Sequence, residues 1–210
     1  NGEKNKLRLH NIMLETFALP LIVLIGAYLI GSVSSAIVLC KLAGLPDPRS
    51  QGSGNPGATN VLRFGGKKLA ATVLIIDVIK GVLPVVIACW LGLDQTLMAA
   101  TAFFAFFGHL YPVFFDFKGG KGVATALGGF LALSPLMAGA ALLTWIVIFA
   151  ISRISSLSAI TAAAMTPVYS LWLLESINAR WIVLIMAVML LLRHASNIQR
   201  LISGEESQSK

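Results

Sequence analysis

Charged residues are scarce in this chain of 210 residues. They make up 12% of it, against about 25% in ordinary soluble domains, while hydrophobic residues make up 57% and the mean hydropathy is +0.83. So few charges cannot cover a soluble globule of this size, and so many apolar residues exclude a disordered chain. The composition therefore indicates a polytopic membrane protein that is small enough to form one domain.

Cysteine and acidic residues are also rare. Cys40 and Cys89 lie in apolar runs, without CxxC spacing or a neighbouring cluster of His, Asp or Glu. We therefore expect membrane-buried thiols, no disulfide framework, no metal and no cofactor. The 16 basic residues outnumber the 9 acidic ones. In a membrane protein this excess indicates basic cytoplasmic loops, anionic headgroups or a phosphate-bearing substrate, and we expect no nucleic-acid partner.

Long apolar runs define the fold class. A membrane-spanning helix needs about 20 apolar residues. Seven runs come near this length, and the sequence predicts an all-α protein with about seven transmembrane helices. The runs are 17–43, 69–92, 96–115, 122–133, 135–152, 157–174 and 180–195. The fourth run is too short to cross a hydrocarbon core of about 30 Å. The predicted domain is 17–202, between polar tails at 1–16 and 203–210.

Basic residues are unevenly divided between the two ends of these runs. Leaving aside the N-terminal tail, Lys41 and Lys80, ten lie on one side, and Arg180 alone lies on the other. The positive-inside rule places the ten, and the C-terminus, in the cytoplasm. Seven spans then leave the N-terminus outside, although Lys4, Lys6 and Arg8 are basic. The ten are Arg49, Arg63, Lys67, Lys68, Lys118, Lys121, Arg153, Arg193, Arg200 and Lys210.

The first polar segment, GSGNPGATNVLR, covers residues 52–63. Its glycines let backbone amides converge, Ser53, Thr59 and Asn60 add donors, and Arg63 offers a planar guanidinium suited to phosphate. A short helix from Ala58 would direct its N-terminus at the same ligand. The alternative is a flexible polar loop with Arg63 as a headgroup anchor.

The second polar segment is GHLYPVFFDFKGGKGVAT, residues 108–125. Its Lys-Gly-Gly-Lys-Gly run at 118–122 opens a helix, which favours anion binding. The alternative is a tight cytoplasmic turn with ordinary basic residues. The P-loop pattern is absent, which excludes a nucleoside triphosphatase.

Further polar residues lie at helix ends and inside one span. Ser155, Ser156 and Ser158 begin the sixth span, while His194 and Asn197 share a helix face after the seventh. Asp77 and Lys80 lie inside the second span, either as an intrahelical ion pair or as a support beneath a site. The charge-based topology brings the polar motifs to the cytoplasmic side. The residues alone therefore predict a membrane-embedded site for a phosphorylated substrate.

Three ordered motifs carry a family resemblance over residues 17–202. The segments 52–63, 108–125 and RHASNIQRL at 193–201 resemble those of the bacterial glycerol-3-phosphate acyltransferase that uses acyl-phosphate as donor. The resemblance implies transfer of a fatty acyl group to the 1-hydroxyl of glycerol 3-phosphate, giving lysophosphatidic acid and phosphate. It also implies a multi-pass protein of the bacterial inner membrane, with a cytoplasmic active site and a functional link to the enzyme that makes acyl-phosphate. The alternative function is a membrane transporter of a small organic phosphate.

The resemblance also implies roles for single residues. Ser53 and Arg63 match the serine and arginine of the first motif, with Thr59 and Asn60 beside them. The second motif, which is Lys118, Gly119, Gly120, Lys121 and Gly122, resembles a phosphate cradle. His194 and Asn197 match the catalytic polar pair, and we prefer Ser156 to Ser158 as the family serine. Which motif holds which phosphate stays open, as does whether His194 or the donor phosphate is the base.

Overall fold

The computed structural model describes residues 17–206, so both the predicted tail at 1–16 and residues 207–210 lie outside the described residues. Nine α-helices follow one another in this part. They are α1 (Leu19–Gly31), α2 (Ser35–Leu42), α3 (Ala58–Trp90), α4 (Gln95–Leu110), α5 (Val123–Leu133), α6 (Pro135–Ser152), α7 (Ser155–Leu173), α8 (Ile177–Arg193) and α9 (Ala195–Ile202). Short 3-10 turns at Pro48–Ser50 and Val113–Phe115 lie in the connections.

Helix length and composition confirm a helical, multi-pass membrane protein. Four helices are long and apolar enough to cross a bilayer, and the count rises to six if each of two bent pairs is one span. The bent pairs are α1 with α2, at 43°, and α8 with α9, at 59°. Helix α5 is apolar but short, as the sequence predicted. The exact number of spans stays a prediction.

Two predicted runs have different boundaries in the structure. The run 17–43 is broken after Gly31, so that α2 leaves at an angle and Ser35 enters the interior at its first turn. The run predicted to start at residue 69 belongs to a helix that starts at Ala58 and bends at Gly66, where φ is 81°. Hydropathy marks only the apolar part of this helix. Its polar first turns carry the residues of the first motif.

Small residues bring the helix backbones close together. A Cβ added at Gly81 of α3 would overlap the Thr125 carbonyl of α5, and one added at Gly128 would overlap that of Val78. Large apolar side chains such as Leu21, Ile75 and Trp172 are exposed on the outside. This distribution is typical of a bundle in lipid, where close backbone packing rather than apolar burial drives helix association. The contact fixes the first turns of α5 against the Val78–Gly81 stretch of α3.

Candidate active site

A cavity of about 580 Å³ opens among α3 and the helices from α5 to α9, and its wall includes Asp77 of α3 and His109 of α4. One end is polar, and the other is lined by apolar side chains of α5 and α6 and by small residues of α7. All three predicted motifs contribute to it, although they lie far apart in the sequence. The predicted residues that line it are Ser53, Thr59, Asn60, Arg63, Lys121, Gly122, Ser156, His194 and Asn197.

The first loop, residues 51–57 before α3, is held by the side chain of Asn60. The Asn60 Oδ1 accepts a hydrogen bond from the Ser53 amide at 2.9 Å. Its Nδ2 donates to the carbonyls of Pro48 and Gln51, both at 2.9 Å. Asn60 is buried, whereas Ser53 and Arg63 are exposed at the rim. The structure therefore gives Asn60 the role of shaping the loop that presents Ser53, rather than that of presenting its own amide to a ligand.

The second loop, residues 116–122 before α5, is held by backbone pairing with the end of α4. The Gly119 amide donates to the Leu110 carbonyl at 3.2 Å, and the Gly120 amide donates to the His109 carbonyl at 3.1 Å. These two amides already have partners, which corrects the expectation that they form the phosphate cradle. The loop instead presents the side chain of Lys121 to the cavity.

The two lysines of the second loop point into different places. Lys121 lines the main cavity, whereas Lys118 and Gly119 line a second depression of about 320 Å³ together with Arg49 and Arg193. Arg49 is engaged there by Asp47, with its Nη2 2.7 Å from Oδ2. The structure therefore separates Lys118 from Lys121, which the sequence had grouped as one cradle.

Asn197 connects the second loop to the third motif. Its Oδ1 accepts a hydrogen bond from the Lys121 Nζ, and its Nδ2 donates to Glu206 Oε1 at 2.6 Å. Asn197 reaches this position because the chain bends by 59° between α8 and α9, which directs the first turn of α9 at the cavity.

Glu206 is a site residue that the sequence reasoning missed. Its Oε1 also accepts from Ser156 Oγ at 2.6 Å, and its Oε2 accepts from Arg200 Nε at 2.6 Å. Burial raises the pKa of this carboxyl, but the hydrogen bonds from Ser156, Asn197 and Arg200 outweigh it, so the net shift is downward. Glu206 is thus a carboxylate that holds two predicted catalytic side chains. Glu206 lies beyond residue 202, in the segment predicted as a polar tail.

The serines at the start of α7 have different surroundings. Ser156 lines the cavity and bonds Glu206, whereas the buried Ser158 donates to the Ile154 carbonyl at 2.9 Å. A hydroxyl bonded back to its own helix is a common structural arrangement. The geometry therefore favours Ser156 over Ser158 as the serine at the site.

The tautomer of His194 follows from its one ring contact. The Nδ1 lies 2.8 Å from the Leu190 carbonyl, and since a carbonyl only accepts, Nδ1 carries the hydrogen. In the neutral ring the lone pair is then on Nε2. His194 is 2% exposed and lines the cavity. Its orienting partner is a carbonyl rather than a carboxylate.

Known proteins identify the family. The family model described as glycerol-3-phosphate acyltransferase matches residues 21–204. The chain belongs to the glycerol-3-phosphate acyltransferase family. The protein of that name from Thioalkalivibrio sulfidiphilus is 57% identical over 185 residues, which are 87% of this chain and 90% of the relative. That of Shewanella sediminis is 51% identical over 190 residues, which are 90% and 94% of the two chains.

Solved structures of this family have the same fold. The glycerol 3-phosphate form of PlsY (YgiH), an integral membrane glycerol 3-phosphate acyltransferase, superimposes with a TM-score of 0.86. It is 41% identical, and the match covers 91% of this chain and 96% of that one. The lysophosphatidic acid form gives a TM-score of 0.84 at 40% identity, covering 91% and 95%. The predicted acyltransferase activity is confirmed, and the transporter alternative is set aside.

For a glycerol-3-phosphate acyltransferase, the charge state of Lys121 matters. Burial lowers the pKa of this ammonium to about 8. Glu206 opposes the shift, and the nearby guanidinium groups of Arg200, Arg193 and Arg63 add to it. Lys121 is therefore mainly charged at neutral pH, and it sits among cations that need an anionic partner. Phosphate is an anion of the kind that such cations bind.

Proposed function

We propose that this acyltransferase uses acyl-phosphate as donor and acylates the 1-hydroxyl of glycerol 3-phosphate, releasing lysophosphatidic acid and phosphate. The observation that carries the proposal is the single cavity in which Ser53, Arg63, Lys121 and the His194 end of α8 meet. Two phosphate-bearing substrates need several cations in one place. The polar end of the cavity supplies Arg63, Lys121 and Arg200.

The apolar end of the cavity suits the acyl chain. Leu127 and Phe130 of α5 face Leu142 and Trp145 of α6 across it. Small residues of α7 leave room along one helix face, namely Ala159, Ala162, Ala163 and Thr166. Each methylene buried there contributes about 0.8 kcal/mol. The acyl carbonyl carbon then lies where the apolar and polar ends join.

The proposed chemistry needs little from the protein beyond positioning. The glycerol 1-oxygen attacks the acyl carbonyl carbon, the bond from that carbon to the phosphate oxygen breaks, and phosphate leaves with the proton of the hydroxyl. His194 Nε2 accepts a hydrogen bond from a substrate group rather than keeping the proton. This choice is supported by its partner on Nδ1, which is a carbonyl and cannot stabilise an imidazolium as a carboxylate would. Asn197 Nδ2 donates one hydrogen to Glu206 and keeps a second N–H for the developing oxyanion, while Ser156 donates its hydroxyl hydrogen to Glu206 and so holds that carboxylate in place.

The proposed topology follows from the charge distribution. Each bent pair crosses the membrane once, and α5 supplies a seventh, short crossing. The active site then faces the cytoplasm of a bacterial inner membrane, where an enzyme that makes acyl-phosphate can deliver it. Single cysteines at Ser203 and Glu175, in a cysteine-free background, test this with an impermeant maleimide on intact cells. Labelling at residue 175 alone is expected, and labelling at residue 203 would refute the orientation.

The reaction is tested by phosphate release from palmitoyl-phosphate and glycerol 3-phosphate with purified protein in lipidic mesophase. We expect release that needs both substrates, no product from palmitoyl-CoA, and a stoichiometric yield of 1-palmitoylglycerol 3-phosphate. Residual turnover in His194→Ala supports the donor phosphate as proton acceptor. Activity with palmitoyl-CoA alone would overturn the proposed donor.

A further inference from the structure

A buried polar cluster lies beneath the second loop. Oδ1 of Asp77 accepts a hydrogen bond from Ser35 Oγ at 2.8 Å and lies 2.9 Å from Lys80 Nζ. His109 Nδ1 lies 3.6 Å from the same oxygen. The lysine also donates to the Val33 carbonyl at 2.9 Å. Asp77, Lys80 and His109 are each less than a tenth exposed. The carboxylate thus lies among α2, α3 and α4, bonded to Ser35 and Lys80 and packed against the His109 ring.

Such a cluster is costly inside a membrane protein. Burying two charges removes them from water, and replacing a buried ion pair by apolar residues is often neutral or stabilising. Net stability is therefore a weak explanation for Asp77 and Lys80. Their arrangement is better explained by a geometry that they fix, and the geometry in contact with them is that of His109.

His109 transmits its position directly to the second loop. Its carbonyl accepts the Gly120 amide at 3.1 Å, and its ring lies so close to Gly120 that an added Cβ would overlap Nε2. The imidazole is thus the surface on which Gly120 rests. The next residue is Lys121, whose Nζ bonds Asn197 in the cavity.

The opposite side of the loop is held by Arg193. Its Nη2 donates to the carbonyls of Gly119, at 2.9 Å, and Gly120, at 3.2 Å. The guanidinium lies over the ring of Tyr111, 5.6 Å from the centroid. With Arg193 on one side and His109 on the other, the backbone before Lys121 has little freedom. A change in the position of the His109 ring must therefore move Lys121.

We propose that Asp77 is a positioning residue for acyl transfer: together with Lys80 it fixes the His109 imidazole, on which Gly120 rests, and so sets the position of Lys121. Asp77 and His109 also lie in the wall of the main cavity. The carboxylate is 3% exposed and its Oδ1 is engaged by Ser35 and Lys80, so we assign it to the loop rather than to a substrate. The proposal rests on the acyltransferase activity and on Lys121 as a substrate-binding cation. It does not depend on which phosphate Lys121 holds.

A double-mutant cycle between Asp77→Asn and Gly120→Ala tests this. Asp77→Asn weakens the contact on one side of the His109 ring, and Gly120→Ala displaces the ring from the other side. Lys121→Arg is expected to change the kinetic constant of the substrate that Lys121 binds. Asp77→Asn and Gly120→Ala are each expected to change that same constant by on the order of tenfold, and to change the constant of the other substrate by no more than about twofold. The activity of the double variant is expected to equal that of the worse single variant, because both changes displace the same His109 ring.

Three observations would overturn the proposal. They are losses that multiply in the double variant, equal changes in the constants of both substrates, and a loss that is matched by a lower unfolding temperature. Tyr169→Phe is the matched control, since it removes a half-buried 2.7 Å hydrogen bond to Thr144 between α6 and α7, away from the loop. Its effect is expected to multiply with that of Asp77→Asn.

Folding of the variants is checked by size-exclusion profile and thermal unfolding. If Asp77→Asn does not purify as a folded protein, Ser35→Ala takes its place in the cycle, because it removes one donor to Asp77 and leaves the ion pair intact. A loss of about threefold, again not multiplying with Gly120→Ala, is then expected. Wild-type protein that is folded but inactive with palmitoyl-phosphate would refute the proposed donor, not the positioning role.

Discussion

Two glycine-containing loops border the cavity, and they are held in different ways. The first loop is shaped by one side chain, since Asn60 bonds two of its backbone groups and the Pro48 carbonyl just before it. The second loop is shaped by its neighbours, because the backbone of α4, the ring of His109 and the guanidinium of Arg193 contact it from both sides. The two loops are therefore similar in composition but are held by different kinds of contact. The first depends on the Asn60 amide and on Gly52, where an added Cβ would overlap the Asn60 Oδ1, whereas the second depends on Gly119 and Gly120 lying against the backbone and ring of His109.

The largest expected effect concerns the two lysines of the second loop. Lys121→Ala removes the cation that faces the cavity and is expected to lower kcat/KM by about 10²- to 10³-fold. Lys118→Ala changes the separate depression beside Arg49 and is expected to cause a much smaller loss. Steady-state rates of phosphate release on both variants check this. Equal losses would show that the two lysines act as one cradle.

Replacing one glycine by alanine is expected to affect activity differently in the two loops. In the second loop, a Cβ at Gly119 would overlap the His109 carbonyl, so Gly119→Ala is expected to lower activity about a hundredfold. In the first loop, Gly54 has φ of 70°, but its Cβ would meet only the Arg49 carbonyl at 3.3 Å. Gly54→Ala is expected to cost about 1 kcal/mol locally. That strain corresponds to a loss of a few-fold, and the opposite order of the two activities would refute the distinction.

Asn60→Ala tests whether one amide holds the first loop. The change leaves the Ser53 amide and two carbonyls without their partner, so we expect a loss of about 1 to 3 kcal/mol in the free energy of unfolding. Because Ser53 then loses its orientation, activity is expected to fall about tenfold. Thermal unfolding and turnover are measured beside Gln51→Ala, which alters a half-buried side chain of the same loop. Equal behaviour of the two variants would contradict the role given to Asn60.

The smallest expected effect is a pH dependence from the second loop. Lys121 is charged below its pKa of about 8, so binding of a phosphate substrate to the unliganded enzyme is expected to weaken as pH rises above that value. The profile of kcat/KM should fall on the alkaline side. Lys121→Arg keeps its charge to much higher pH, so its profile is expected to stay flat there. An alkaline limb that persists in Lys121→Arg would assign the titration to another group.

The predictions from the sequence were most successful where they relied on composition and on motifs. Low charge and long apolar runs predicted the helical membrane class, and the three motifs predicted the family that the relatives confirm. The short α5 was also predicted from its length. Hydropathy located the spans but not the polar first turns of α3 or the bends beside Gly31 and His194. Those features depend on polar residues that a hydropathy average ignores.

The role of Glu206 could not be read from the sequence with the same reasoning. It follows the third motif in a polar tail, where an acidic residue is usually solvated. The available signal was its position among basic residues at one predicted cavity mouth. Only the bend between α8 and α9 brings this carboxylate to Ser156, 50 positions away in the chain.

The sequence by itself determined that this protein lies in a membrane, that it is helical and which family it belongs to. Side-chain chemistry and spacing are local properties, and they are sufficient for these conclusions. The tertiary structure decided which lysine faces the cavity, which amides of the glycine run already have partners, and that Asp77 lies beneath them. These are relations between distant segments. They are set by how closely the helices pack, which depends on the missing Cβ atoms at the contacts and not on any one motif.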